Sequence, residues 1–336
     1  MTDPLPIIVD VDTGIDDALA LLYLCASPEA ELLAVTCVAG NVDAQQVSEN
    51  TRAVLDLAGR DDVEVALGRE VPLVRPLRVA PETHGPKGIG YAELPSPAAP
   101  LSTRHAADLI VAEARARPAE VTLITTGPLT NLAVALGREP NLPLLLKGLV
   151  MMGGSYRSAG NTAPTTEWNV AVDPEAMAVV LAGWTAVPEA PRPLALGLDV
   201  TERAKLAPDH LADIRRRSKA SDDDPVLRFI DDALRFYMEF HSRYDDFYGA
   251  FIHDALAVAA ALDRSLVRSE ALAVAVELGG TYTTGETVTD WRRVWGQPPN
   301  LDVCVEADIT EFFERFISRL AGLAQERRET ASHMAS

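Results

Sequence analysis

An α/β fold is predicted for this chain, with an open, mostly parallel central sheet, flanking helices and a more helical part near residues 205–262. Three observations carry that expectation. Short apolar, β-branched runs alternate with amphipathic stretches along most of the 336 residues. Several of these runs end in polar or glycine-bearing turns that open directly into a helix. The hydrophobic content, 48%, is sufficient for a large buried core.

Taken in order, Ile7–Val11 is an apolar strand, and Ile15, Ala18, Leu19 and Leu22 then recur at helical spacing. Leu32–Val38 is a second strand, followed by Ala39-Gly40-Asn41 and a helix over residues 43–57 that Gly59 ends. Val63–Leu67 is a third strand. Residues 68–100 are rich in proline and glycine and read as one long surface loop, a length usual for functional segments. Ala106–Ala116 is helical and Val121–Thr125 is a β-branched strand. Gly127-Pro128 opens the next helix, since proline suits a first turn. Leu149–Met152 is a strand ending in Gly153-Gly154, a loop runs to Asp173, Pro174 starts a helix, and Leu194–Leu198 is a further strand. Residues 215–225, with the acidic run Asp222–Asp224, read as a solvated loop. Val226–Arg243 and the alanine-rich Asp254–Leu262 are helices. Leu272–Leu278 and Thr281–Val288 read as a late β pair, and Ile309–Leu323 as a closing helix. Residues 1–325 are taken as one domain, and residues 326–336 as a tail outside it.

Net charge is −19, from 49 acidic against 30 basic residues. Nucleic acid and anionic membrane surfaces both need a basic footprint, so neither is an expected partner. No apolar run is long and uncharged enough to span a bilayer. Cys25, Cys37 and Cys304 show no metal or redox spacing and read as buried thiols of a reducing compartment. With no signal-peptide pattern at the start, a cytoplasmic location is expected.

The chemistry concentrates where strands end. In an open sheet those C-terminal ends share one edge, so residues distant in sequence converge there. The first strand delivers Asp10, Asp12, Asp16 and Asp17, the second Asn41, and the Val121 strand Thr126. Met152, Asn161, Glu167 and Asn169 follow the Leu149 strand, and His253 and Asp254 open the alanine-rich helix. Taken singly, each has an ordinary explanation: a helix cap, a turn residue, a core side chain. Together they gather acids and amides at one edge without a basic cluster. Oxygen donors of that kind suit a hard divalent cation, Ca²⁺ better than Mg²⁺, because no glycine loop cradles a phosphate. Asn and Glu side chains in number suit sugar hydroxyls.

The segments DVDTGIDDALAL, AGN, TTGPLTNLA, MMGGSY, TEWNVAVDPEA and HDALAVA resemble the inosine-uridine preferring nucleoside hydrolases. The likeness runs from about residue 7 to 323 and implies a nucleoside hydrolase-like, Rossmann-like core. It further implies hydrolysis of the N-glycosidic bond of ribonucleosides to ribose and free base, with Ca²⁺ as cofactor. Carried over by motif, Asp12, Asp17, Thr126 (through its carbonyl) and Asp254 would hold the metal, and Asp12 would be the general base on a metal-bound water. Asp16 would take the 2′-hydroxyl, Asn169 the 3′-hydroxyl, and Asn161 and Glu167 the 5′-hydroxyl. Asn41 and Met152 would lie in the same neighbourhood, with Trp168 where a smaller aromatic residue is common. His253 would protonate the leaving base. His84 would sit on a lid over residues 76–92, and Tyr237 and Tyr244 would reach the base. Glu202 stands where relatives often carry histidine. The resemblance also implies a homodimer or homotetramer. Two rival functions fit parts of the pattern. A haloacid-dehalogenase-type Mg²⁺ phosphatase would use the Asp10/Asp12 pair, and a non-catalytic nucleoside-binding protein could use the same scaffold.

Overall fold

The computed structural model describes residues 3–221 and 224–334. In chain order the first half comprises β1 (Leu5–Val11), α1 (Ile15–Cys25), β2 (Ala30–Cys37), α2 (Ala44–Ala58), β3 (Glu64–Leu67), α3 (Pro81–His84), α4 (Ala106–Ala116), β4 (Thr122–Thr125), α5 (Thr130–Arg138), α6 (Leu142–Leu145) and β5 (Gly148–Met152). The second half comprises α7 (Trp168–Val172), α8 (Pro174–Thr185), β6 (Leu194–Leu196), α9 (Leu198–Thr201), β7 (Lys205–Leu206), α10 (Pro208–Ser218) and α11 (Pro225–Tyr244). It continues through β8 (Ala250–Phe251), α12 (His253–Leu262), β9 (Val267–Leu272), β10 (Val274–Val276), β11 (Thr287–Thr289), β12 (Leu301–Ala307) and α13 (Ile309–Met334).

Eight strands form the main sheet in the order β3-β2-β1-β4-β5-β6-β12-β9, all neighbours parallel except β9 against β12. Chain order reverses between β1 and β4, and that switch point is where such sheets open a crevice at their C-terminal edge. β1 alternates as a central strand must. Ile7, Val9 and Val11 join the core with α1, α11, α12 and α13, whereas Ile8 faces the core with α4, α5 and α8. α12 is buried from His253 through Ala260. Its small alanines let it lie close to the sheet and α1, which brings its N-terminus to the crevice. Among the described residues no helix is long and apolar enough to cross a membrane.

Departures from the sequence pattern have local causes. Residues 215–218 are the last turn of α10 rather than loop. That helix buries only Ile214 and Ser218, so its polar face mimics a coil. Asp224 caps α11 by accepting from the Val226 and Leu227 amides, while Asp222 and Asp223 lie outside the described residues. β12 went unpredicted because Asp302 and Glu306 interrupt its apolar pattern; they pair outward with Arg192 and Arg268. The late β pair is shorter than expected, Val274–Val276 against Thr287–Thr289, and β9 joins the main sheet instead. The long loop holds the single turn α3, and the segment before Asp173 holds α7. α13 continues to Met334, past the expected end at Leu323.

Asn131 on α5 ties the central strands together. Its Nδ2 donates to Asp10 Oδ1 (2.8 Å) and to the Cys37 carbonyl (3.0 Å), and its Oδ1 accepts from the Arg69 amide (2.8 Å). Removing the side chain leaves the Arg69 amide without its acceptor and takes one of two donors from both Asp10 Oδ1 and the Cys37 carbonyl, which keep Thr36 and the Gly68 amide. Asn131→Ala is expected to lower the unfolding free energy by about 3 kcal/mol, read as a shift of the urea midpoint at constant slope.

Candidate active site

Four carboxylates are packed where β1 meets α1. Asp12 and Asp17 are fully buried, and Asp16 and Asp254 nearly so. Asp17 closes the first turn of α1 on itself, accepting from the Gly14 amide (2.9 Å). It also accepts from Thr126 Oγ1 (2.7 Å) and Asn41 Nδ2 (3.2 Å). Asp12 Oδ2 accepts from the Asn41 amide (2.8 Å), but Asp12 Oδ1 is buried without a partner among the described residues. Gly40 and Gly127 lie so close to this carboxylate that a Cβ on either would collide with it, which explains glycine at both turns. Asp16 Oδ2 accepts from the His253 and Asp254 amides (2.8 and 3.1 Å), so α1 caps α12 across the crevice. Its other oxygen is an orphan. Asp10 lies lower, bonded by Thr36 and Asn131, outside the cavity lining.

Above these acids is a cavity of about 640 Å³. Asp16, Thr126, Asn169 and Asp254 line its floor, with Asp12 and Asp17 concealed beneath. Asn169 Nδ2 donates to the Thr126 carbonyl (2.6 Å) and to the Met152 carbonyl (3.3 Å), joining the ends of β4 and β5. On one wall Glu167 accepts from the Asn169, Gly154 and Val170 amides, and Asn161 Oδ1 accepts from the Trp168 amide (3.0 Å). The buried Trp168 Nε1 has no partner, and the Arg78 guanidinium stands 5.7 Å from the Trp168 ring. Asn41 and His84 line the opposite side. His84 Nδ1 accepts from the Ile15 amide (3.1 Å), so a neutral ring carries its hydrogen on Nε2. His253 Nδ1 is 2.8 Å from Thr201 Oγ1, whose hydroxyl also lies 3.2 Å from the Gly197 carbonyl. Tyr237 is buried with its ring 5.6 Å from His84, and Tyr244 is an exposed rim residue whose ring lies tilted against Phe240 at 4.8 Å.

The segment after α3 packs onto α11. Gly85, Gly88 and Gly90 have φ of 81°, 81° and 63°, and a Cβ on Gly90 would press into Phe236 and Ala233. Asn50 Nδ2 pins the Lys87 carbonyl (2.8 Å) and reaches the Thr13 carbonyl (3.1 Å). These glycines therefore serve left-handed turns and close approach.

Every residue expected at the site lines the cavity or lies directly under its floor. The sequence pattern did not single out Arg78, Phe240, His241, Asp245 or Phe251, which also line it. The α11 residues among them were detectable: Tyr237, Phe240, His241 and Tyr244 fall on one helical face. The electrostatics are those of crowded anions. Burial raises Asp12, and Asp17 raises it further; burial and then Asp16, Asp17 and Asp12 raise Asp254. Burial pushes Asp10 up to about 7 and Asp16 up to about 8. Burial pushes His84 and His253 down to about 3. Among the described residues no three acids yet converge as ligands of one metal. Asp17 and the Thr126 carbonyl are instead satisfied by Thr126, Asn41, Gly14 and Asn169. The donor set nevertheless suits a hard cation: all oxygen, nearly anhydrous, with a free Asp12 Oδ1.

A family model described as inosine-uridine preferring nucleoside hydrolase matches residues 7–314. The chain is 38% identical over 313 residues to the inosine-uridine preferring nucleoside hydrolase of Leishmania major, covering 92% of this chain and 95% of that one. It is 36% identical over 317 residues to the pyrimidine-specific ribonucleoside hydrolase RihA of Salmonella gallinarum, covering 94% and 98%. Among solved structures it resembles the purine-preferring ribonucleoside hydrolase from Gardnerella vaginalis, with TM-score 0.87, 31% identity and coverage of 95% and 99%.

The crowded acids predict a pH dependence of stability. A carboxylate whose folded pKa exceeds its unfolded value stabilises the fold while protonated in both states and loses that contribution as pH rises through the folded value. Asp10 and Asp16 lose theirs between about 4 and about 8. The depressed histidines act oppositely, but only between about 3 and 6.5. From pH 6.5 to 8 the carboxylates act alone. Chelator-treated protein is therefore expected to lose melting temperature across that interval, and saturating Ca²⁺ to flatten the slope, as scanning fluorimetry would record.

Proposed function

Because the chain belongs to the inosine-uridine preferring nucleoside hydrolase family, and is therefore a ribonucleoside hydrolase, we propose that the acid-floored cavity is where its N-glycosidic cleavage occurs and that Ca²⁺ is its metal. One observation supports this most directly: a fully buried Asp12 with an unpartnered oxygen, ringed by Asp17, Asp16 and Asp254. Such crowding is costly without a cation, and oxygen-only donors suit calcium. Asp12, Asp17, Asp254 and the Thr126 carbonyl would hold the ion. When bound, it offsets the anionic charge and orients sugar hydroxyls and water.

The chain's own residues account for the remaining steps. Asp12 takes the proton of the attacking water through its free Oδ1. Asp16, already anchored by two α12 amides, offers its second oxygen to the ribose 2′-hydroxyl. Asn169 contacts the 3′-hydroxyl, and Asn161, Glu167 and the Trp168 indole surround the 5′ end. Asn41 holds the Asp12 carboxylate in place through its backbone amide, and Met152 lines the floor. Cleavage develops positive charge on the ribosyl ring, which the carboxylates beneath it stabilise. His253 serves the departing base. A neutral ring donates through Nε2–H only when Thr201 turns its hydroxyl proton onto Nδ1, with the Gly197 carbonyl as the competing acceptor. His84, whose Nδ1 is occupied by Ile15, presents a second Nε2–H above the floor, beside Tyr237.

The phosphatase reading loses its support at Asp10, which is sealed below the floor by Thr36 and Asn131. The strictly binding reading is set aside by membership of a hydrolase family.

Asp12→Asn is expected to lower kcat by at least about a thousandfold in a ribose-release assay on a nucleoside panel, because it removes the proposed base. It should also weaken Ca²⁺ binding measured calorimetrically. Retained turnover would remove Asp12 from that role. His253→Ala is expected to slow natural nucleosides far more than p-nitrophenyl riboside, whose leaving group needs no proton. Equal losses on both would exclude His253 as the acid.

A further inference from the structure

One wall of the cavity takes no part in the chemistry above. His241, near the end of α11, is buried, and its Nε2 has no hydrogen-bond partner among the described residues. Its Nδ1 lies 2.8 Å from Asp245 Oδ2. An ionised carboxylate only accepts, so Nδ1 carries the hydrogen and Nε2 of the neutral ring carries the lone pair. Aromatic neighbours fix the ring: Tyr237 at 4.5 Å, Phe251 at 4.8 Å and Phe247 at 5.5 Å. Glu202, just after α9, lines the same cavity, and its half-buried carboxylate is raised by burial and then by Asp245. Lys205, whose charge reaches Glu202, places its ammonium over Phe247 and Phe251. The wall is thus rich in acceptors, whereas the cavity's Arg78 lies against Trp168.

The wall is within reach of a nucleobase. Tyr237, His241, His84 and His253 line one cavity, and His241 follows Tyr237 by one helical turn, about 6 Å. With ribose on the acid floor, His241 is therefore a wall residue beside the base.

We propose that His241 Nε2, oriented by Asp245 and flanked by Glu202, is a specificity determinant that accepts a hydrogen bond from an N–H of the nucleobase. The enzyme then selects bases presenting a ring imide or amino donor to His241. The inference rests on the ribonucleoside reading of the cavity. A buried acceptor left unpaired by the wrong substrate is what gives such a contact its discriminating power.

The test compares kcat/KM of the Ca²⁺-supplied enzyme on uridine against 3-methyluridine and on inosine against 1-methylinosine. Each pair exchanges one ring N–H for N–CH3, and the His241 variants separate the lost donor from the added bulk. The N–H member is expected to be preferred by about tenfold or more in at least one pair. Asp245→Asn, at a partly exposed position, can face Nδ1 with either its amide N–H or its carbonyl, so the ring tautomer is no longer fixed and the preference is expected to weaken. His241→Phe is expected to collapse the preference to within about threefold, while His241→Gln, which keeps an acceptor, should retain part of it. Ratios taken within each protein cancel any general loss of activity. A smaller wild-type ratio in both pairs, or a preference that survives in His241→Phe, overturns the proposal. p-Nitrophenyl riboside separates the levels. If it is cleaved while the ratios stay flat, only the base contact fails. If neither it nor any nucleoside releases sugar, the ribonucleoside reading falls and this inference with it.

Discussion

The structure is organised around one electrostatic conflict: carboxylates gathered in a nearly anhydrous crevice at the sheet's switch point. Parallel strands bring Asp12 and Thr126 to the same edge, and α12 brings Asp254 to meet them. The protein relieves part of the conflict itself. Asp16 is neutralised in part by the α12 N-terminus, where helix dipole and free amides favour an anion. Asp17 is bonded by Thr126, Asn41 and Gly14, and Asp10 by Thr36 and Asn131. Asp12 Oδ1, Asp16 Oδ1 and Asp10 Oδ2 have no partner among the described residues. Local hydrogen bonding therefore satisfies the acids unevenly, and two of these three oxygens sit where catalysis is proposed.

The same conflict explains which parts of the chain were legible in its sequence. Residues such as Asp12, Asp16, Asp17 and Asp254 lie within two or three positions of a strand end or a helix start, so local pattern and topology suffice to bring them together. The central strands were equally clear, because burial on both faces makes them continuous apolar runs. β12 was not, because Asp302 and Glu306 are matched by Arg192 and Arg268, which no local window contains. α10 was hidden for a related reason: a helix burying a narrow stripe is nearly indistinguishable from a polar loop.

The face that carries His241 was detectable, but a role for this residue was illegible for a different reason. A lone histidine on an aromatic helix face reads as packing, and most of its contacts are packing. Its distinguishing features are a missing partner on Nε2 and a carboxylate four residues later on Nδ1. The first is a property of the folded cavity. The second is visible as a His241/Asp245 spacing but gains meaning only once the helix is seen to end at that point.

The floor and the wall are built from different material, and this has a consequence for how activity and selectivity are separated. Floor residues are held by backbone amides and by the sheet edge, so moving any one of them disturbs several strands. Glu202 and Asp245 lie on short connections outside the sheet, and His241 stands in the last turn of a helix whose earlier turns pack on the core through the same buried face. Substitutions on the wall can therefore change hydrogen-bonding character without moving Asp12 or Asp254. A fold built this way can keep its acid floor, and the cation demand that comes with it, while the donor and acceptor pattern facing the base is exchanged. The pyrimidine-specific and purine-preferring activities named among its relatives are what that division of labour would permit.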